Sequence, residues 1–299
     1  MKLVEQSVQL LPLRSINEQI ELAARTCYKS EDKITEDSSE KFVQRLIDNN
    51  HTAMLEHGTV YLKVPHNPGN LEDILLHTRY ANNPYSHINI IAENNNYVLY
   101  ITTNYRVIIE NEWEDDLQFQ CEPTENHLKR YSVKITTNLG IARELCRHRK
   151  FSFAQESTRY CNYDKDKFGN ELTFIIPYWI KLNSGPYKFL SNPDESISIE
   201  GDGYLVDCKE LTIENSFIFS CVRAEFDYTS LIRNYNLQPQ QARDVLPLSL
   251  KTEIVMTGFE NDWKHFFELR LDESTGKVHP DMKELAQLIH IALYGDSNK

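Results

Sequence analysis

Residues 143 to 163 read Arg143-Glu144-Leu145-Cys146-Arg147-His148-Arg149-Lys150-Phe151-Ser152-Phe153-Ala154-Gln155-Glu156-Ser157-Thr158-Arg159-Tyr160-Cys161-Asn162-Tyr163. Arg143, Arg147, Arg149, Lys150 and Arg159 are basic, and only Glu144 and Glu156 are acidic. The whole chain carries 44 acidic against 32 basic residues, so this stretch is a positive island in an acidic protein. A charge run is ordinarily a solvated helix face. Here Leu145, Cys146, Phe151 and Phe153 crowd the basic residues. Guanidinium groups set among apolar side chains favour a planar anion, of which phosphate is the usual one.

Working outward, Asn138 is expected to cap a helix that carries Arg147-His148-Arg149, with Ile141, Ala142, Leu145 and Cys146 turned inward. On that helix Arg143 would share the outer face with Arg147, and Glu144 with His148. Residues 151–163 read as irregular loop. Towards the N-terminus, a strand in residues 1–13 leads to a turn at Pro12, and Ser15 caps a helix through Cys27. A second helix starts at Ser38 or Ser39, and residues 59–64 alternate as a strand. Towards the C-terminus come a long helix from about 214 to 235, a short one opened by Pro239 and a strand at 250–257. A helix at 260–271 and a last helix from Pro280 complete the chain. Arg270 continues the apolar stripe of Trp263 and Phe266. An inward guanidinium needs a partner, because an unpaired buried charge is costly.

Two stretches stand apart. Residues 65–128 read as an insertion of hairpins with one short helical turn and no core of its own. Residues 164–212, with turns at Pro177, Gly185-Pro186, Pro193 and Gly201 to Gly203, read as surface elaboration.

A net charge of -12 argues against a protein whose main business is gripping nucleic acid, yet it allows a phosphorylated small ligand in a local basic pocket. None of the 6 cysteines is spaced as a zinc-binding pair, and each reads as a free thiol. No apolar run approaches the length of a membrane span or of a signal-peptide core, so a cytoplasmic protein without membrane contact is expected.

Arg147-His148-Arg149, then seven residues, then Ser157 and Arg159-Tyr160 resembles the signature of the flavin-dependent thymidylate synthases. Four more segments resemble that family in the same order: Ala24 to Cys27, His51 to His57, Gln241 to Pro247, and Phe266 to Arg270 followed by His279 and Ala286-Gln287. The resemblance implies one domain over 1–299, of α/β class, with a twisted mixed, largely antiparallel sheet wrapped by helices. It implies a homotetramer with active sites at subunit interfaces. The implied reaction methylates dUMP to dTMP, with 5,10-methylenetetrahydrofolate as one-carbon donor and FAD, reduced by NADPH, as hydride donor. No cysteine serves as nucleophile in that family.

Carried across residue by residue, the resemblance assigns Cys27, His51, Ala53, Arg147, His148, Arg149, Gln155, Asn261 and His265 to the flavin. It assigns Glu144, Arg147, Gln155, Glu156, Ser157, Thr158, Arg159, Arg243 and Arg270 to dUMP, with Arg270 catalytic. Cys27 and Ala53 stand where the family often has Ser and Thr, Glu144 where it often has Gln, Ala154 and Gln155 for an Asn-Glu pair, and Phe259 and His265 for asparagines. Two other classes would use a basic pocket: another phosphate-binding nucleotide enzyme, which should offer a metal-binding carboxylate cluster, and a nucleotide- or RNA-binding module, which should be basic over a broad face.

Overall fold

The computed structural model describes residues 1–93, 96–165, 168–169, 171–191, 197–201, 204–207 and 212–295; the expectations for Pro193, Gly203 and Cys208 lie outside them. The first half of the chain forms β1 (Lys2–Val4), β2 (Ser7–Leu10), α1 (Ile16–Tyr28), α2 (Ser38–Asp48), β3 (Thr59–His66), α3 (Leu71–Ala81), β4 (His87–Glu93), β5 (Asn96–Asn104) and α4 (Tyr105–Glu110). The middle forms β6 (Arg130–Asn138), α5 (Leu139–Leu145), β7 (Ser152–Gln155), β8 (Thr173–Ile175), β9 (Gly185–Pro186), β10 (Lys188–Ser191), β11 (Ile197–Gly201) and β12 (Tyr204–Asp207). The last part forms α6 (Ile213–Arg233), α7 (Pro239–Ala242), β13 (Lys251–Phe259), α8 (Glu260–Arg270) and α9 (Pro280–Tyr294).

The class is mixed α and β, and the strand pairing is antiparallel except where β1 runs parallel to β8. In place of one continuous sheet, the described strands form four: β2-β6-β13-β7, β3-β5-β4, β8-β1-β9 and β10-β11-β12. The first is central, and its two faces follow from the period-2 alternation of strands. Val133 and Ile135 of β6 pair with Met256 and Ile254 of β13 and bury against Trp263, Phe266, Leu285 and Ile289 of α8 and α9. The opposite face carries Lys251, Glu253, Val255 and Thr257, and packs Val255 and Ala154 on Ala23 of α1. Helix α1 starts where expected: Ser15 accepts from the Glu18 amide and Glu18 returns a bond to the Ser15 amide, a reciprocal cap.

Three expectations are corrected. Helix α5 begins at the Asn138 cap but ends at Leu145, so Arg147-His148-Arg149 lies in the turn that follows. There the Arg147 and His148 amides bond back to the Glu144 and Leu145 carbonyls. The His148 ring leaves the helix path to pack edge-on against Phe266, with centroids 4.9 Å apart. Arg143 and Arg147 therefore do not share a helix face. Second, residues 152–155 are not loop but strand β7, paired with β13 from Ser152↔Thr257 to Gln155↔Ile254. Third, the 65–128 stretch holds an 11-residue helix, α3, as well as α4 and the β4–β5 hairpin. The Asn70 side chain caps α3, and Tyr80 at its far end is fully buried. The core of this stretch is shared: Tyr80, Leu99, Ile101 and Ile108 pack with Val60, Leu62 and Val64 of β3. The 164–212 stretch likewise does more than cover the surface, since Leu172, Phe174 and Tyr187 are buried with Leu3 and Tyr228.

Candidate active site

Strand β7 ends at the mouth of an open cleft of about 570 Å³. Gln155, Glu156, Ser157 and Thr158 leave the strand in sequence along one wall, and Arg243 and Arg143 supply positive charge from α7's end and from α5. The backbone there is fixed from both sides. The Glu156 amide donates to the Glu253 carbonyl at 2.7 Å, and the Ser157 amide donates to the Cys27 carbonyl at 2.9 Å. The Ser157 hydroxyl accepts from the Arg159 amide at 3.3 Å, which turns the chain. Thr158 Oγ1 accepts from Arg243 at 3.5 Å, and Arg159 Nε donates to Gln240 at 3.2 Å. Arg143, Arg159 and Arg243 are exposed and make no ion pair with a carboxylate among the described residues. The cleft thus presents spare guanidinium groups beside hydroxyl and amide groups, an arrangement suited to a phosphorylated polar ligand.

Glu156 behaves differently from its neighbours. Its carboxylate is buried, accepts from the Tyr163 hydroxyl at 3.0 Å, and accepts from Lys251 Nζ at 3.0 Å and the Glu253 amide at 3.3 Å. Lys251 also reaches Glu253 at 3.0 Å, Lys134 reaches Glu253 at 2.7 Å and Glu31 at 3.0 Å, and Lys29 pairs with Glu253. Burial alone would raise the Glu253 pKa, but Lys251, Lys29 and Lys134 override it and hold the carboxyl far below its ordinary range. This cluster ties the end of α1, β6 and β13 to the cleft wall. Glu156 is therefore an anchor in the wall, held by three donors while it still borders the cleft.

A second cluster lies where α5 meets α8. Arg270 Nε donates to His148 Nε2 at 3.0 Å, and the Arg270 guanidinium stands 3.8 Å from the Glu144 carboxylate. Burial, then the nearby charges of Arg270 and His265, bring the His148 pKa down to about 4, so its ring is neutral and its Nε2 is free to accept. The partner that an inward Arg270 requires is thus supplied by Glu144 and His148.

The residues assigned to the flavin are spread around these two clusters. Arg147 and Arg149 are exposed, without a carboxylate partner among the described residues. Asn261 and His265 sit on the exposed side of α8, with His265 bonded to Glu268. His51 and Ala53 are exposed at a 3-10 turn spanning Thr52–His57, and Met54 of that turn meets Cys27 Sγ at 4.0 Å. Burial raises the Cys27 pKa to about 11, which keeps it a neutral thiol. Sequence reasoning passed over Arg143, Lys251 and Tyr163 as site residues. Lys251 and Glu253 had left a signal, two charges at alternate positions on the face of an otherwise apolar strand. No group of His, Cys, Asp and Glu able to hold a metal ion stands together among the described residues, and no helix among them is long and apolar enough to cross a membrane.

The sequence model of the family described as thymidylate synthase complementing protein matches residues 123–293, more than half of the chain, including β6, α5, β7, β13 and α8. The chain belongs to this family. Among its relatives, a probable flavin-dependent thymidylate synthase of Paramecium bursaria Chlorella virus 1 is 25% identical over 54% of the chain and 65% of its own length. The flavin-dependent thymidylate synthase of Pyrococcus furiosus is 31% identical over 44% of the chain and 41% of its own length. That of Synechocystis sp. is 26% identical over 53% and 64%. The chain therefore spans less than two thirds of each of these relatives. Solved structures that align along the whole chain include a UMP/dUMP methylase PolB from Streptomyces cacaoi bound with 5-Br dUMP, at 15% identity, 98% and 92% coverage and a TM-score of 0.43. Thymidylate Synthase X from Helicobacter pylori with FAD and dUMP aligns at 16% identity, 97% and 94% coverage and a TM-score of 0.39. The family match covers residues 123–293, so residues 1–122 lie outside it.

Proposed function

We propose that the chain is a flavin-dependent thymidylate synthase that methylates dUMP to dTMP, taking the one-carbon unit from 5,10-methylenetetrahydrofolate and the hydride from FAD reduced by NADPH. The observation that carries this reading is the cleft in which Gln155, Ser157 and Thr158 stand with Arg143 and Arg243, neither of which pairs with a carboxylate among the described residues. In this reading those two arginines and Arg159 bind the phosphate of dUMP, and Ser157 and Thr158 supply hydrogen bonds beside it. Arg147 and Arg149, exposed and without a carboxylate partner among the described residues, fit the diphosphate of FAD, with His51, Ala53, Cys27, Asn261 and His265 along its length. When bound, the flavin supplies the hydride that completes the methyl group. Arg270, steadied by His148 and Glu144, stabilises negative charge on the uracil ring as N3 loses its proton, which makes C5 the nucleophile. In this reading the protein is a homotetramer whose sites form between subunits. Neutral thiols at Cys27 and Cys221 suit a cytoplasmic enzyme that uses no cysteine nucleophile.

The test is to purify the full chain, titrate it with FAD, and follow labelled dUMP with methylenetetrahydrofolate and NADPH. A yellow protein that forms dTMP is expected. A protein that takes up no flavin and forms no dTMP overturns the reading.

A further inference from the structure

The α1 side of the central sheet carries its charge cluster at one end and an apolar cavity of about 290 Å³ at the other. Leu10, Leu11, Leu13, Leu22, Pro123 and Val255 form most of its walls. Three cations line it, Arg14, Lys129 and Arg130, and no Asp or Glu does. In a chain of net charge -12, a cavity lined by cations alone is a local reversal of sign. Arg14 and Lys129 are exposed, and Arg14 reaches a carboxylate, Glu18, only at 3.9 Å.

Arg130 is the informative member. It is 7% exposed, and among the described residues its guanidinium donates only to neutral acceptors, the Thr59 hydroxyl at 3.3 Å and the Glu56 carbonyl at 3.1 Å, and lies 5.3 Å from the centre of the Phe259 ring. Its Nε has no hydrogen-bond partner among the described residues. The carboxylates nearest to it are engaged elsewhere, Glu56 with Arg106 at 2.6 Å and Asp262 with Lys150 at 3.7 Å. A buried cation with no direct carboxylate bond among the described residues is an expensive arrangement that an anion would relieve. Burial lowers its pKa to about 10, so it still carries its charge at neutral pH. The cavity's other polar groups are uncharged. Burial, then the Arg130 charge, hold His57 neutral with a pKa of about 3, and His57 Nδ1 bonds Thr257 at 2.8 Å. The Tyr61 hydroxyl accepts from the Arg130 amide at 3.2 Å, which leaves its own proton to donate.

We propose that this cavity is a second binding site, for a small organic carboxylate whose acyl or aryl body lies against the leucine and proline walls and whose carboxylate is drawn to Arg130. Its volume is at the lower edge of the roughly 300–1,000 Å³ of drug-sized sites, so the occupant is a small acid. It shares no lining residue with the cleft of Ser157 and Arg243, and the proposal does not depend on what that cleft binds.

Calorimetric titration of the full chain with octanoate and with benzoate, against 1-octanol as the uncharged comparison, tests this. At least one acid should bind saturably, and octanol should bind about tenfold more weakly or worse than octanoate, the size expected for a charge-assisted bond. Arg130→Met should remove that preference for the acid. Leu22→Phe, which narrows the cavity at a partly buried wall, should weaken acid and alcohol together, and Arg243→Ala should change neither. If Arg130→Met does not fold, the acid-to-alcohol ratio and Leu22→Phe decide alone. The proposal is overturned if neither acid binds at millimolar concentration or if octanol matches octanoate. It is equally overturned if octanoate binding survives Leu22→Phe unchanged.

Discussion

Arg270 and His148 form one chemical unit. The Arg270 Nε–H points at a ring nitrogen that is available only because His148 is neutral. Burial and then the Arg270 charge both depress the His148 pKa, so removing the guanidinium should raise it. In Arg270→Ala the His148 ring should titrate above its present value of about 4, as followed by imidazole proton resonances, and an unmoved titration would show that the two are not coupled. In the proposed reaction the same variant should keep its flavin and the reduction of that flavin by NADPH, while dTMP formation falls by about 10²–10³. Turnover within a few-fold of the parent would pass the ring-stabilising role to Arg243. Arg270→Lys should rescue little, since an ammonium lacks the planar fork.

At the scale of elements, β13 decides where the cleft wall stands. Lys251 and Glu253 hold Glu156 from β13, while Lys29 reaches in from the end of α1. Breaking a buried pair leaves a charge without compensation. Lys251→Met should therefore lower unfolding free energy by about 3 kcal/mol in urea melts, and adding Glu156→Gln should recover part of the loss. Strictly additive losses would show that the two side chains do not interact. Further along the strand, a Cβ on Gly258 would stand 2.4 Å from the Phe151 ring. That ring packs on Trp263 and lies beside His148, and it has no room to retreat. Gly258→Ala should cost about 1–3 kcal/mol by overpacking, and an unchanged melting temperature would contradict this.

At the scale of the whole molecule, the 65–128 stretch has helices and a hairpin but depends on β3 for Val60, Leu62 and Val64 of its core. Expressed alone it should show no cooperative thermal transition; a sharp one would make it a domain in its own right. Part of the molecule's pH response follows from histidines whose pKa values burial depresses, His148 and His57 the most. Their folded pKa values, about 4 for His148 and about 3 for His57, lie below the unfolded value of about 6.5. As pH falls below about 6.5 the unfolded chain takes up protons that the folded chain refuses. This share of stability is complete above about 6.5 and is lost as pH falls towards 4 and then 3. Urea midpoints should drop steadily from pH 7 to pH 4.5, and a flat profile would refute it.

The sequence by itself determined the local elements and the pattern that places the chain in its family. Ser15 and Asn138 caps, Pro239 and Pro280 starts and the apolar periodicity of α1, α6, α8 and α9 all act within a few residues, so they are readable from spacing. The Arg-His-Arg run with Ser157 is likewise a local pattern. What only tertiary structure decided depends on contacts distant in the chain. Helix α5 stops at Leu145 because His148 and Phe151 find a better place on Phe266 and Trp263, more than a hundred residues away. Residues 152–155 become a strand because β13 offers an open edge. The family resemblance assigns Glu156 to the nucleotide, and only the fold shows its bonds to Tyr163, Lys251 and the Glu253 amide, since no spacing rule relates residue 156 to residue 251. The cation-lined cavity behind α1 draws its walls from residues 10 to 255 and exists only once those segments meet.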